Sequence, residues 1–206
     1  MAEPRSPRTT LIAISVASTI AVVLLVIIGV LTSPTGPTAA PRPTPTLSPA
    51  ATVPPSPEPS IIPSSCEQIY TRDWQEELAP IALNPAWTDK TAAVGTADVA
   101  LKQLLTPDTR LTCQWGKESG PSTVGIVTSL AQIDSETDSL VKSRLNALGW
   151  TCYDSSGGVR CITEGTDTNG AWGESHFIRD GVWIATRWSN LAPDGYTADI
   201  VSTLWK

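Results

Sequence analysis

The chain has 206 residues and a formal net charge of −6, from 14 Lys or Arg against 20 Asp or Glu. That acidic balance excludes the basic footprint of a nucleic-acid binder and gives little reason to lie along an anionic membrane surface. A single histidine excludes histidine-built metal clusters and the H-E-x-x-H pattern, so no metal or other cofactor is expected.

Residues 1–10 carry Arg5 and Arg8, and the run LIAISVASTIAVVLLVIIGVL follows at 11–31. About 20 uncharged, mostly apolar residues span the hydrocarbon layer as a helix whose backbone bonds are satisfied internally. Two arginines precede the run and the next basic residue is Arg42, so the positive-inside rule puts 1–10 in the cytoplasm and everything after Leu31 outside. A cleaved signal peptide has an apolar region of roughly 7–15 residues that ends in an A-x-A-like site. Here the run is longer and Thr38-Ala39-Ala40 lies well beyond it, so the expectation is an uncleaved, single-pass plasma-membrane anchor.

Residues 32–65 hold eleven prolines and twelve Ser or Thr. Such a segment buries too little apolar surface to offset its ordering entropy and is expected to be disordered. Its prolines favour an extended path of about 3.1 Å per residue, reaching on the order of 100 Å. This is the composition of a stalk. The remaining residues, 66–206, make one domain, with eleven Lys or Arg against eighteen Asp or Glu.

Within that domain Cys66–Ala79 reads as helical and stops at Pro80. TADVALKQLL reads as a second helix, capped by Thr96 and ending before Pro107. RLTCQW and STVGIVTSL read as strands joined across Lys117–Pro121. Residues 134–148 read as a third helix, with Ser135 and Asp138 as a capping box and Gly149 at its exit. A turn at Ser156-Gly157 then sets Cys152 opposite Cys161 as a non-hydrogen-bonded pair, with Cα atoms about 4.5 Å apart. This is disulfide geometry in an oxidising compartment. The spacing fits neither C-x-x-C nor a zinc site. Cys66 and Cys113 remain as the second bridge; by loop entropy the two stabilise by about 2.5 and 4 kcal/mol.

A second hairpin turns on Asp180-Gly181. It pairs Ile178 with Trp183, His176 with Ala185 and Glu174 with Arg187 on one face, and puts Phe177, Val182, Ile184, Thr186 and Trp188 on the other. The second set is the more apolar and is expected to face the core. Trp183, His176, Glu174 and Arg187 are then expected on the open face, as a ligand-contact patch or as a cross-strand ion pair beside a half-exposed Trp. Finally Asp194 is expected to cap YTADIVSTLW. The fold class is α+β: an antiparallel sheet of about six strands with helices packed on one face.

Eight tryptophans accompany one phenylalanine. Most are expected in the core; stacking on sugar rings would need two or three exposed together. No G-x-S-x-G elbow and no free thiol are present, so no catalytic residue is assigned. DTNG at 167–170 resembles a calcium-loop fragment, but Gly165 and His176 fall at the outer ligand positions, which makes it a polar turn.

The cytoplasmic N-terminus, membrane helix, Pro/Thr stalk and four-cysteine domain with TCQW in a strand resemble envelope proteins of high-GC Gram-positive bacteria. They are similar to extracellular sensor-like domains found alone or appended to membrane Ser/Thr kinases. The resemblance implies binding or sensing of a cell-wall or envelope ligand or protein partner, and supplies no catalytic residue. A cell-wall hydrolase using carboxylates and a purely structural envelope protein are the alternatives. For the anchor, N-terminal sequencing of the purified chain should find residues 1–31 retained; a chain starting near Pro41 would overturn it.

Overall fold

The computed structural model describes residues 60–191 and 193–206. The expected tail (1–10), membrane helix (11–31) and most of the stalk lie outside the described residues, among which no helix is long and apolar enough to cross a membrane. The stalk's last residues do fall within them, and Ile62 is buried in the core, so packing begins before Cys66.

A 3-10 turn at Cys66–Ile69 is followed by α1 (Trp74–Glu77), β1 (Ala82–Leu83), a second 3-10 turn at Thr88–Lys90, α2 (Val99–Asp108), β2 (Thr109–Gly116) and β3 (Gly125–Gln132). Then come α3 (Ser135–Ala147), β4 (Thr151–Ser155), β5 (Gly158–Asp167), β6 (Gly170–Arg179), β7 (Val182–Ser189) and α4 (Tyr196–Leu204). The strands form one antiparallel sheet in the order β1-β2-β3-β7-β6-β5-β4. The α+β class stands, with seven strands. The extra one, Ala82–Leu83, pairs with Gly116 and Trp115 and is too short to carry a period-two signal.

Both disulfides form, Cys66–Cys113 and Cys152–Cys161, with Cα atoms 5.6 and 4.0 Å apart. Cys152 faces Cys161 in the β4–β5 register, around Ser156 and Gly157 at φ 47° and 76°. The first bridge ties the start of the domain to β2, and the second pins the outermost hairpin.

Several helix boundaries differ from the sequence expectation, three of them because a polar group finds a different partner. Cys66–Ala79 is no continuous helix: the Thr71 and Arg72 amides donate to the Asp199 carboxylate of α4 and cannot serve a local ladder. Asp98, rather than Thr96, caps α2 by accepting from Leu101 N. Pro107 sits inside that helix. Asp134, rather than a Ser135–Asp138 box, caps α3 by accepting from Thr137 N. Gly195 starts α4 at φ 76°, and no side chain caps it.

Helices cover both faces of the sheet, which corrects the one-sided expectation. On one face the first 3-10 turn, α1 and α4 pack over Phe177, Ile184 and Trp188. On the other, Leu101 and Leu105 of α2 and Val141 and Leu145 of α3 pack over Ala131, Ile178, Trp183 and Ala185. The Asp180-Gly181 register is the expected one, and Phe177 and Ile184 are buried. The error lay in taking the more polar row as solvent-facing, when the central strands are covered on both sides. Trp183 is 0% exposed. Trp183→Ala should therefore cost about 3–5 kcal/mol through the cavity left behind, measured by urea unfolding. A loss no larger than that of an exposed-residue control would contradict this packing.

Candidate functional site

Between α2 and the second 3-10 turn the chain runs across the sheet face that carries Trp183. It can do so because residue 95 has no side chain: a Cβ there would lie 1.9 Å from the Ala185 carbonyl oxygen of β7. The Gly95 amide donates to Ser129 Oγ at 3.2 Å. The next two residues reach β6, where Thr96 Oγ1 donates to Glu174 Oε2 (2.9 Å) and Ala97 N–H donates to Glu174 Oε1 (2.6 Å). This crossing divides the face. On one side α2 and α3 seal it; on the other it stays open.

The four residues expected on an open patch are split by that crossing. Trp183 and His176 are fully enclosed, Glu174 is 3% exposed, and only Arg187 reaches solvent. Inside, Trp183 Nε1–H donates to His176 Nδ1 at 2.9 Å. Indole N–H can only donate, so Nδ1 is the acceptor and the ring proton sits on Nε2, which faces Glu174 Oε2 at 3.5 Å. Burial pushes the His176 pKa down, against the opposing pull of the Glu174 and Asp98 carboxylates. His176 is therefore a neutral link between a core tryptophan and a buried acid. Glu174 takes donors from three residues and is a structural anchor.

The open half of the face holds a cleft of about 300 Å³ lined by Asp167, Asn169, Trp172, Glu174, Arg187 and Ser189. Asn190, at φ 52°, holds its rim: its Nδ2 donates to the Thr123 and Asn169 carbonyls, both at 2.9 Å, and its amide to the Ala171 carbonyl at 2.7 Å. Trp172 pairs across the ladder with Gly165, and the indole takes the space a Gly165 side chain would fill, 2.7 Å from a built Cβ. The Arg187 side chain is 47% exposed, and its Nε lies 3.9 Å from Glu174 Oε1. Its terminal nitrogens donate no hydrogen bond to the described residues.

Arg187 and Ser189 also line a second cleft of about 220 Å³, with Trp87, Gln114 and Val127. Trp87 lies over Gly116, 2.7 Å from a built Cβ, with its Nε1 donating to the Lys117 carbonyl at 2.8 Å. Trp87 and Trp172 were not singled out by the sequence reading. Of the eight tryptophans, Trp74, Trp115, Trp183 and Trp188 are buried, while Trp87, Trp150, Trp172 and Trp205 are half-exposed.

The opposite face carries a separate buried network. Asp199 accepts from Thr71, Arg72 and Trp74 Nε1. Burial alone would push its carboxyl up, but these donors outweigh that and hold it down. Tyr196, hydrogen-bonded to Tyr70, Trp115 and Thr128, is pushed up to about 12 by burial. This cluster clamps residues 70–74 to α4. No group of three or more potential ligands for a metal ion occurs among the described residues. Compared with known proteins, the chain matches no family model, no curated protein and no solved structure.

The buried histidine makes stability depend on pH. Its folded pKa lies below the ordinary 6.5, so the unfolded chain takes up a proton first as pH falls. The stability of the neutral form is complete above about 6.5 and is lost toward the folded pKa, by up to about 1.4 kcal/mol per pH unit. His176 is the chain's single histidine, and the lowered Asp98 and Asp199 contribute only below about pH 4. Urea unfolding between about pH 7.5 and 5.5 should show a declining stability that His176→Asn flattens. An equal slope in the variant would refute this assignment.

Proposed function

We propose that the chain is a single-pass plasma-membrane protein, with its N-terminus cytoplasmic and residues 66–206 held outside as a binding or sensor-like module for a cell-wall or envelope ligand or protein partner. The reading joins the long apolar run after Arg5 and Arg8 and the proline-rich stalk to a domain with an open cleft. The observation that carries it is Arg187: a half-exposed guanidinium with unclaimed donors, shared by two clefts that each contain a half-exposed tryptophan. A few convergent polar groups beside an aromatic wall form a binding surface.

A hydrolase built on carboxylates would need an acid free to exchange a proton with substrate. Of the two acids in the cleft, Glu174 is instead bonded by Thr96 and Ala97 and faced by His176, which leaves the exposed Asp167, itself accepting from the Asn169 amide, without a second free carboxylate in the lining. This favours binding over catalysis.

Thermal unfolding of the full-length chain in detergent, with soluble envelope fragments added, tests the reading. A fragment at 100 times its Kd should stabilise the domain by about 2.7 kcal/mol, and Arg187→Ala should remove that shift while leaving the unliganded melting temperature within a few degrees. Stabilisation that survives Arg187→Ala would move the site elsewhere, and release of cleavage products would establish an enzyme.

A further inference from the structure

Resting on that binding reading, we propose that the ligand is a carbohydrate chain lying across the strands, from the Trp87 ring to the Trp172 ring, with Arg187 and Ser189 beneath its middle. The two clefts share these two residues and so form one groove. Its ends are set by the glycines on which the rings rest, Gly116 on β2 and Gly165 on β5. Between β2 and β5 the sheet runs β2-β3-β7-β6-β5. Four strand spacings make about 19 Å, room for about four pyranose units end to end.

The chemistry of the groove selects a sugar chain over a peptide. The C–H faces of pyranose rings carry partial positive charge and meet the electron-rich face of an indole, as other ring partners do. The equatorial hydroxyls both donate and accept. Arg187 offers donors only, the Asp167 carboxylate acceptors only, and Ser189 and Asn169 both. With Glu174 already bonded by protein donors and counterbalanced by Arg187, the groove suits a neutral polyhydroxylated ligand.

An extended peptide that binds by strand addition needs a free sheet edge and side-chain holes. Here β3, β7 and β6 are each paired on both sides, leaving no main-chain edge in the floor, and Ser189 offers no hole.

The test uses full-length protein in detergent, with β-1,4-linked N-acetylglucosamine oligomers of two, four and six units and an alanine-rich octapeptide as probes in calorimetric titrations. Affinity should rise from the dimer to the tetramer and then level off. Trp87→Ala and Trp172→Ala should each weaken tetramer binding about thirtyfold, the loss that corresponds to a 2 kcal/mol tryptophan hot spot. Ser189→Phe, which leaves both rings in place and fills the floor, should abolish binding with melting unchanged. Tyr153→Ala, at an exposed aromatic on the outer strand β4, should change nothing. Octapeptide binding lost in Arg187→Ala, without oligosaccharide binding, overturns the carbohydrate assignment and leaves the binding reading standing. Silence of all probes, including soluble envelope fragments, overturns both. Equal affinity for the dimer and the hexamer, or binding indifferent to Trp87 and Trp172, overturns the groove.

Discussion

The passage of Gly95 over the middle of β3 and β7 is the contact on which both halves of this sheet face depend. A chain can lie that close to strand backbone only without a Cβ, because the obstacle is the Ala185 carbonyl and not a side chain able to swing aside. Once the crossing is fixed, Thr96 and Ala97 fall on Glu174. Asp98 then caps α2 and is held in turn by Arg144 of α3, Nη2 to Oδ2 at 2.6 Å. The helices that bury Trp183 are thus aimed by a segment that is itself irregular. Beyond the crossing no described residue seals Arg187, whose side chain stays 47% exposed, and the cleft is the part of the face the crossing does not close.

The same device occurs on the two faces. Residues 71–73 on one and 95–97 on the other are non-helical stretches whose amides would be orphaned on burial. Each is met by a carboxylate from a regular element, Asp199 of α4 or Glu174 of β6. A carboxylate suits this role because it accepts several donors, and such charge-assisted bonds are roughly twice as strong as neutral ones. The burial of the acids is thereby offset by bonds that the crossing segments also need. Removing either acid would strand several donors together, which is why these two side chains weigh more in the fold than their small number suggests.

Much of this was legible in the sequence, and what was not has physical reasons. Both hairpin registers followed from counting outward from Ser156-Gly157 and Asp180-Gly181, because a two-residue turn fixes every pair beyond it. The same counting from Thr168-Asn169 would have set Gly165 against Trp172 and exposed the cleft's wall. The signal is present in DTNG: it reads as a polar turn, and a turn at its centre carries the register outward. The second helical layer was hidden for another reason. A row containing Glu174, His176 and Arg187 is polar by composition, and only tertiary contacts from Thr96, Ala97 and Trp183 satisfy it, so face polarity did not report burial. The misplaced helix boundaries share that origin: Thr71 and Thr96 found partners far away in sequence.

The cleft inherits its rigidity from strands rather than loops. Trp172, Arg187 and Ser189 all project from β6 and β7, which are paired on both sides. The rim is fastened by Asn190, whose two amide hydrogens are committed to the Thr123 and Asn169 carbonyls. Groups held this way need not be ordered on association, so less of the gross interaction energy is spent on immobilising them. The division between neighbours then becomes intelligible. Glu174 is enclosed and saturated, and its negative charge orients Arg187 from 3.9 Å without consuming the terminal guanidinium donors. The acid that anchors the crossing leaves the terminal donors of its cationic neighbour uncommitted among the described residues.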